Sequence, residues 1–230
     1  MIFDPVYLLA MLPGLLLSLW ASAKTRSTFK RYSQVAAASG LTGAQAAARL
    51  LDRSGVHGVT VERVGGHLSD HYDPTKKVLR LSPDVHDGRS LSALGVAAHE
   101  AGHALQDAQG YAPLKFRSLV VQPAMIGSNL GLYVVMGGLL FQATSLVWVG
   151  IGLFSAFVVF TLITLPVEFN ASNRAIAALQ ASGMVSPEES KGAAAVLNAA
   201  ALTYVAAALS AVLTLLYFLW RAGLLGGRDD

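Results

Sequence analysis

Ala98-His99-Glu100-Ala101-Gly102-His103-Ala104 lies in the middle of an alanine-rich apolar run, and the rest of the chain is read from it. On an α-helix, residues four apart share a face, so His99 and His103 present two imidazoles to one point. Tetrahedral Zn²⁺ accepts that geometry from two of its protein ligands. Glu100 projects about 100° round the helix from His99, within reach of a metal-held water without being a ligand. Zinc lowers the pKa of such a water to about 7, and a neighbouring carboxylate can take its proton as it attacks a carbonyl. The pattern H-E-x-x-H therefore carries a mechanism, hydrolysis of a peptide bond. The competing reading is a surface helix that happens to hold three polar residues. Leu94, Val96, Ala97, Ala98, Ala104 and Leu105 argue against it, because they mark a helix built for burial. Buried imidazoles and a buried carboxylate are costly without partners, and a metal is such a partner.

The composition sets the surroundings. Of 230 residues, 53% are hydrophobic and 13% charged, against about 25% charged in an ordinary soluble domain. Mean hydropathy is +0.50, so the composition is that of a membrane protein. Cysteine is absent, which excludes a disulfide framework and any thiolate-ligated metal.

Residues 5–23 form an uncharged run long enough to cross about 30 Å of hydrocarbon as a helix. Ala21-Ser22-Ala23 resembles a signal-peptide cleavage site, but residues 1–4 lack the positive charge such a peptide carries, so a retained anchor is expected. Lys24, Arg26, Lys30 and Arg31 follow at once. They abut a membrane segment and have few aromatics between them, which favours a topology signal over a nucleic-acid patch; no nucleic-acid partner is expected. Three further spans are read at 119–142, 146–165 and 193–220, the first two joined as a hairpin. Gly127 and Gly131 suggest a helix-packing face, and Gln122, Asn129 and Gln142 are expected to face protein or the interface.

Between the first two spans, residues 24–118 read as an α+β domain. Thr42 and Gln45 form a capping box for a helix stopped by Gly55. Alternating strands follow at Val59–Val64, His67–Tyr72 and Val78–Leu81, predicting a short antiparallel sheet whose edge could accept an extended peptide. Ser90 caps the motif helix, which runs to about Ala108 with Gly110 as its stop. Pro166 interrupts the third span, and residues 166–192 read as a cytoplasmic segment carrying a new or kinked helix. Ser186-Pro187-Glu188-Glu189 starts the last one. Thirteen of the seventeen basic residues lie between the first and second spans and two between the third and fourth, leaving two elsewhere. That asymmetry places the motif helix in the cytoplasm and the amino terminus outside.

A zinc hydrolase needs three protein ligands and an open position. His57, His67, His71 and His86 are candidates, though lone histidines in loops are more often surface groups. Two crossings separate His103 from Glu168, which returns that carboxylate to the side of the motif helix. No other carboxylate lies between Asp107 and Glu188, so Glu168 is preferred over a mere helix-start Glu. Ser172, one turn on, shares its face and could hydrogen-bond a ligand. Arg174 reads as a membrane-surface or structural group. His71, Tyr72 and Tyr204 are candidate oxyanion donors.

These residues resemble the YugP-type neutral zinc metallopeptidases of bacterial membranes. The likeness covers nearly the whole chain, in its amino-terminal anchor, Leu68-Ser69-Asp70-His71-Tyr72-Asp73-Pro74, His99-Glu100-Ala101-Gly102-His103, Glu168-Phe169-Asn170-Ala171-Ser172 and Ala201-Leu202-Thr203-Tyr204-Val205. The resemblance implies a multi-pass cell-membrane metallopeptidase with His99, His103 and Glu168 on Zn²⁺ and Glu100 as general base. The layout is also similar to the HtpX heat-shock and CAAX prenyl proteases, where an Asp follows the ligand Glu by four residues; Ser172 stands there here and argues against membership of those families. The expected fold is a mainly α membrane protein, with four transmembrane helices and a small α+β zincin-like, gluzincin-like catalytic domain. Expected partners are peptide or protein substrates, membrane proteins among them, and the bilayer, with a homo-oligomer left open. A non-catalytic zinc-binding scaffold is the alternative. Intramembrane cleavage ranks low, because the uncharged stretch Ser90–Ala98 is too short to span.

Overall fold

The computed structural model describes residues 4–66 and 69–223. His67, among the third-ligand candidates, lies outside them, as do Leu68 and Arg228. Seven helices and three strands run in the order α1 (Pro5–Ser33), α2 (Gly43–Arg53), β1 (Thr60–Arg63), β2 (His71–Asp73), β3 (Val78–Leu81), α3 (Pro83–His86), α4 (Leu91–Ala108), α5 (Ala112–Leu140), α6 (Thr144–Ala181) and α7 (Pro187–Arg221). Helices α1, α5, α6 and α7 are each long and apolar enough to cross a membrane.

The chain divides into two compact units. One comprises residues 1–21, 115–166 and 203–230. Its interior is Val135 of α5, Val147, Ile151, Phe154 and Val158 of α6, and Ala211, Tyr217 and Phe218 of α7. Gly127 and Gly131 lie on the α5–α6 contact, where a Cβ would stand 2.2 Å from the Leu153 carbonyl oxygen and 2.7 Å from the Phe154 amide nitrogen. Gln122, Asn129 and Gln142 are exposed, which leaves the interface as the expected setting for them.

The second unit comprises residues 22–114 and 167–202 and contains the motif helix. Ala46, Ala47, Leu50 and Leu51 of α2, Leu79 and Leu81 of β3, and Leu94, Ala97, Ala98 and Ala101 of α4 share one core with Ala175 and Leu179 of α6 and Leu197 of α7. Residues 193–202 of α7 thus belong to this unit, although their composition alone would let them begin a membrane span.

The local signals for helix ends hold. Thr42 and Gln45 close a capping box on α2. The Ser90 hydroxyl accepts from the Ala93 amide at the start of α4, and Gly110 takes a φ of 66° just past its end. Ser186 and Glu189 exchange the reciprocal hydrogen bonds that start α7.

Two expectations are corrected. The sheet is not wholly antiparallel: its order is β1-β3-β2, with β1 parallel and β2 antiparallel to β3. The reason lies in the side chains. Val78, Leu79 and Leu81 of β3 are buried, whereas β1 and β2 contain no buried residue, so the most apolar strand takes the centre and inserts between its predecessors. Pro166 starts no new helix either; α6 is continuous from Thr144 to Ala181, which leaves the kinked reading. A proline removes one ladder hydrogen bond, and a long apolar helix packed by neighbours tolerates that loss.

Candidate metal centre

Helix α4 is apolar on nearly every face because α2, the sheet and the second-unit parts of α6 and α7 contribute to one core around it. His99, Glu100, His103 and Gln106 are polar exceptions on its inner turns; the last three are buried, and the His99 side chain is 13% exposed. α6 brings Glu168 to meet them. The two helices approach closely at Gly102, where a Cβ would stand 2.5 Å from the Ala171 carbonyl oxygen. Only glycine permits that approach, so one of the two unspecified positions of the motif is fixed by packing.

Across this contact, His99 Nε2 lies 3.2 Å from Glu168 Oε2 and His103 Nε2 lies 3.6 Å from Glu168 Oε1. The imidazole centroids are 4.8 Å apart and nearly perpendicular. One donor atom from each of the three residues lies within 4.8 Å of the other two. The Glu168 side chain is 3% exposed.

The outer ring nitrogens are also engaged. His99 Nδ1 lies 3.1 Å from Ser172 Oγ, and His103 Nδ1 lies 3.0 Å from Gln106 Oε1. With Nδ1 so occupied, each ring turns Nε2 toward the carboxylate, as metal-binding histidines do. Burial alone would lower the pKa of His103. The Glu168 carboxylate and the Glu100 charge outweigh it and hold the imidazole above its ordinary value, so this cluster attracts positive charge.

The comparisons with known proteins point to a zinc enzyme. A family model described as "putative neutral zinc metallopeptidase" matches residues 7–223. The chain belongs to the neutral zinc metallopeptidase family. It is 49% identical to "Putative membrane protease YugP" of Bacillus subtilis (strain 168), over 93% of this chain and 94% of that protein. No solved structure matches. With its four membrane-length helices, this member of the neutral zinc metallopeptidases is a multi-pass membrane protein. Two imidazoles and one carboxylate suit Zn²⁺, the family's cofactor, and leave a fourth position open.

The other described histidines of this family member lie elsewhere. His57 is exposed. His71 Nδ1 stands 2.8 Å from the Ser69 carbonyl, and Arg80 faces the other side of its ring. His86 Nδ1 pairs with Asp87 at 2.6 Å. Among the described residues, none of them joins the cluster. Tyr72 donates to Asp107 at 2.8 Å, and Tyr204 belongs to the other compact unit. Arg174 has the contacts of a structural group, one of the two readings the sequence leaves open for it. Its Nε donates to Asn170 Oδ1 at 2.6 Å, its guanidinium also reaches Gln109, and it lies 5.7 Å from the centroid of the Tyr111 ring.

Gln106 is the residue that sequence reasoning misses. A glutamine inside an apolar helix has no motif of its own. One signal was available: an uncharged amide three residues after a candidate ligand histidine, at a position where this helix otherwise places apolar side chains.

Proposed function

We propose that this chain is a membrane-embedded zinc metalloendopeptidase with a zincin-like, gluzincin-like catalytic unit. His99, His103 and Glu168 hold the metal, and Glu100 is the general base. The observation that carries the reading is the convergence of two Nε2 atoms and one carboxylate, from helices far apart in sequence, within 4.8 Å.

Zinc bound there supplies Lewis acidity and a water acidified to a pKa of about 7. Glu100, adjacent to His99 but turned away from the ligand face, takes the proton of the attacking water on its carboxylate. It then hands that proton to the departing amine. Glu168 contributes one negative charge to the ligand set, and the two imidazoles stay neutral to coordinate. Ser172 orients the His99 ring from behind. Burial of Glu100, His103 and Glu168 keeps bulk water from competing for these groups.

The sheet offers an edge for the substrate. Among the described residues, strand β2 has β3 on one side only and is tied to α4 through Tyr72 and Asp107, so an extended peptide adding to β2 would run beside the motif helix. The distribution of basic residues supports a cytoplasmic active site and an external amino terminus.

Glu100→Gln tests the assignment. The variant should hold zinc stoichiometrically, measured by metal analysis of the purified chain, while casein or peptide hydrolysis falls by at least about 100-fold. Undiminished turnover would refute the mechanism, and a zinc-loaded wild type without any turnover would favour a scaffold.

A further inference from the structure

Gln106 is fully buried and has no part in the chemistry above, yet its amide bridges the two ligand-bearing helices. Oε1 faces His103 Nδ1 at 3.0 Å. Nε2 lies 2.9 Å from the Val167 main-chain oxygen and 2.9 Å from Asn170 Oδ1, on either side of Glu168 in sequence.

Which end of a side-chain amide is nitrogen is decided by its surroundings, and here they decide it twice. A main-chain carbonyl only accepts, so the end facing Val167 is the NH₂ group. From the other direction, Arg174 only donates, so Asn170 turns its oxygen to the guanidinium, and that same oxygen needs a donor from Gln106. Both constraints leave the Gln106 oxygen facing His103. The His103 Nδ1 must then carry hydrogen, and in the neutral ring that binds metal the lone pair is left on Nε2, the nitrogen 3.6 Å from Glu168.

We propose that Gln106 is a positioning residue that fixes the tautomer and rotation of His103 and, by gripping Val167 and Asn170, sets the helical turn that carries Glu168. Arg174 anchors this clamp through Asn170 and is itself held by Gln109 and Tyr111. The inference rests on His99, His103 and Glu168 being the zinc ligands. It adds that the two halves of the ligand set are aligned by one neutral amide rather than by a second carboxylate. A neutral backing partner leaves Glu168 as the negative ligand, and the amide can do what a carboxylate cannot: donate to one helix while accepting from the other.

Zinc affinity of the full chain, purified in detergent and measured by competition with a chromophoric chelator, tests the clamp. Gln106→Leu and Asn170→Leu should each weaken binding about 10- to 100-fold. Asn170→Asp keeps an acceptor for both Gln106 and Arg174 and should stay close to wild type. Wild-type affinity in Gln106→Leu, or equal losses in Asn170→Asp and Asn170→Leu, would overturn the proposal.

A second readout needs no variant. In zinc-loaded wild type labelled with ¹⁵N-histidine, His103 should carry its proton on Nδ1, and a proton on Nε2 would overturn the assignment. A wild type that binds no zinc, or one that binds it undiminished after His99→Ala and His103→Ala, would overturn both this inference and the ligand reading beneath it.

Discussion

Replacing Gly102 with alanine sets two small effects against each other. Alanine favours a helix interior over glycine by about 1 kcal/mol. The added methyl would stand 2.5 Å from the Ala171 carbonyl oxygen, a backbone atom that moves only if α6 moves. Overpacking of this kind costs about 1–3 kcal/mol, so Gly102→Ala should destabilise the protein on balance and weaken its zinc binding. Chemical denaturation and chelator competition on one preparation would check both. At this scale the sequence was readable wherever the signal was local. His99, Glu100 and His103 declare themselves through a spacing of four on one helix. Glu168 needed topology as well, because its partners sit on another element. Gln106 escaped for a related reason, and Arg174 was legible as a structural group but not by its partners. Their roles are defined by atoms of Val167 and Asn170, or by Gln109 and Tyr111, and no periodicity within their own helices encodes those contacts.

Among elements, the sheet and α4 are joined by a short polar latch. Tyr72 of β2 donates to Asp107 at 2.8 Å, and Lys77 reaches the same carboxylate oxygen at 2.6 Å. Tyr72→Phe should cost about 1 kcal/mol of stability. Burial, with the hydrogen bond to Asp107, pushes the Tyr72 phenol above its ordinary pKa. The folded state therefore favours the neutral phenol. The stability this contributes is complete below the ordinary phenol pKa of about 10 and declines as pH rises beyond it. The variant should lack that alkaline loss in a pH series of melting curves. The edge role of β2 makes a separate prediction. Peptides whose main-chain amides are N-methylated at the residues that pair with the strand should show a raised KM with little change in kcat, and identical kinetics would count against docking there. The mixed sheet was less legible than the helices. Cap residues announce helix ends directly, whereas three short strands joined by loops leave open which neighbour lies in the centre until burial decides.

For the whole molecule, the uneven placement of Lys and Arg predicts sidedness, and the absence of cysteine makes the test simple. Lys76→Cys, in the turn before β3, should be shielded from a membrane-impermeant maleimide in intact cells. Thr144→Cys, the first residue of α6, should be labelled. The reverse pattern would place the motif helix outside. The four membrane-length helices were readable from composition because an apolar run states its own length. Their true extents were not: α1 continues through Lys24–Arg31 to Ser33, since basic residues end an apolar span without ending a helix.

The clustering of His99 with a carboxylate 69 positions downstream has a consequence for how the protein is made. On that ligand set, a nascent chain that has emerged only through α5 owns two imidazoles and no third donor. It would hold metal weakly and would lack cutting power. On the same reading the polypeptide would be armed only after both arms of its hairpin have left the ribosome, and a product truncated within α5 would spare its neighbours.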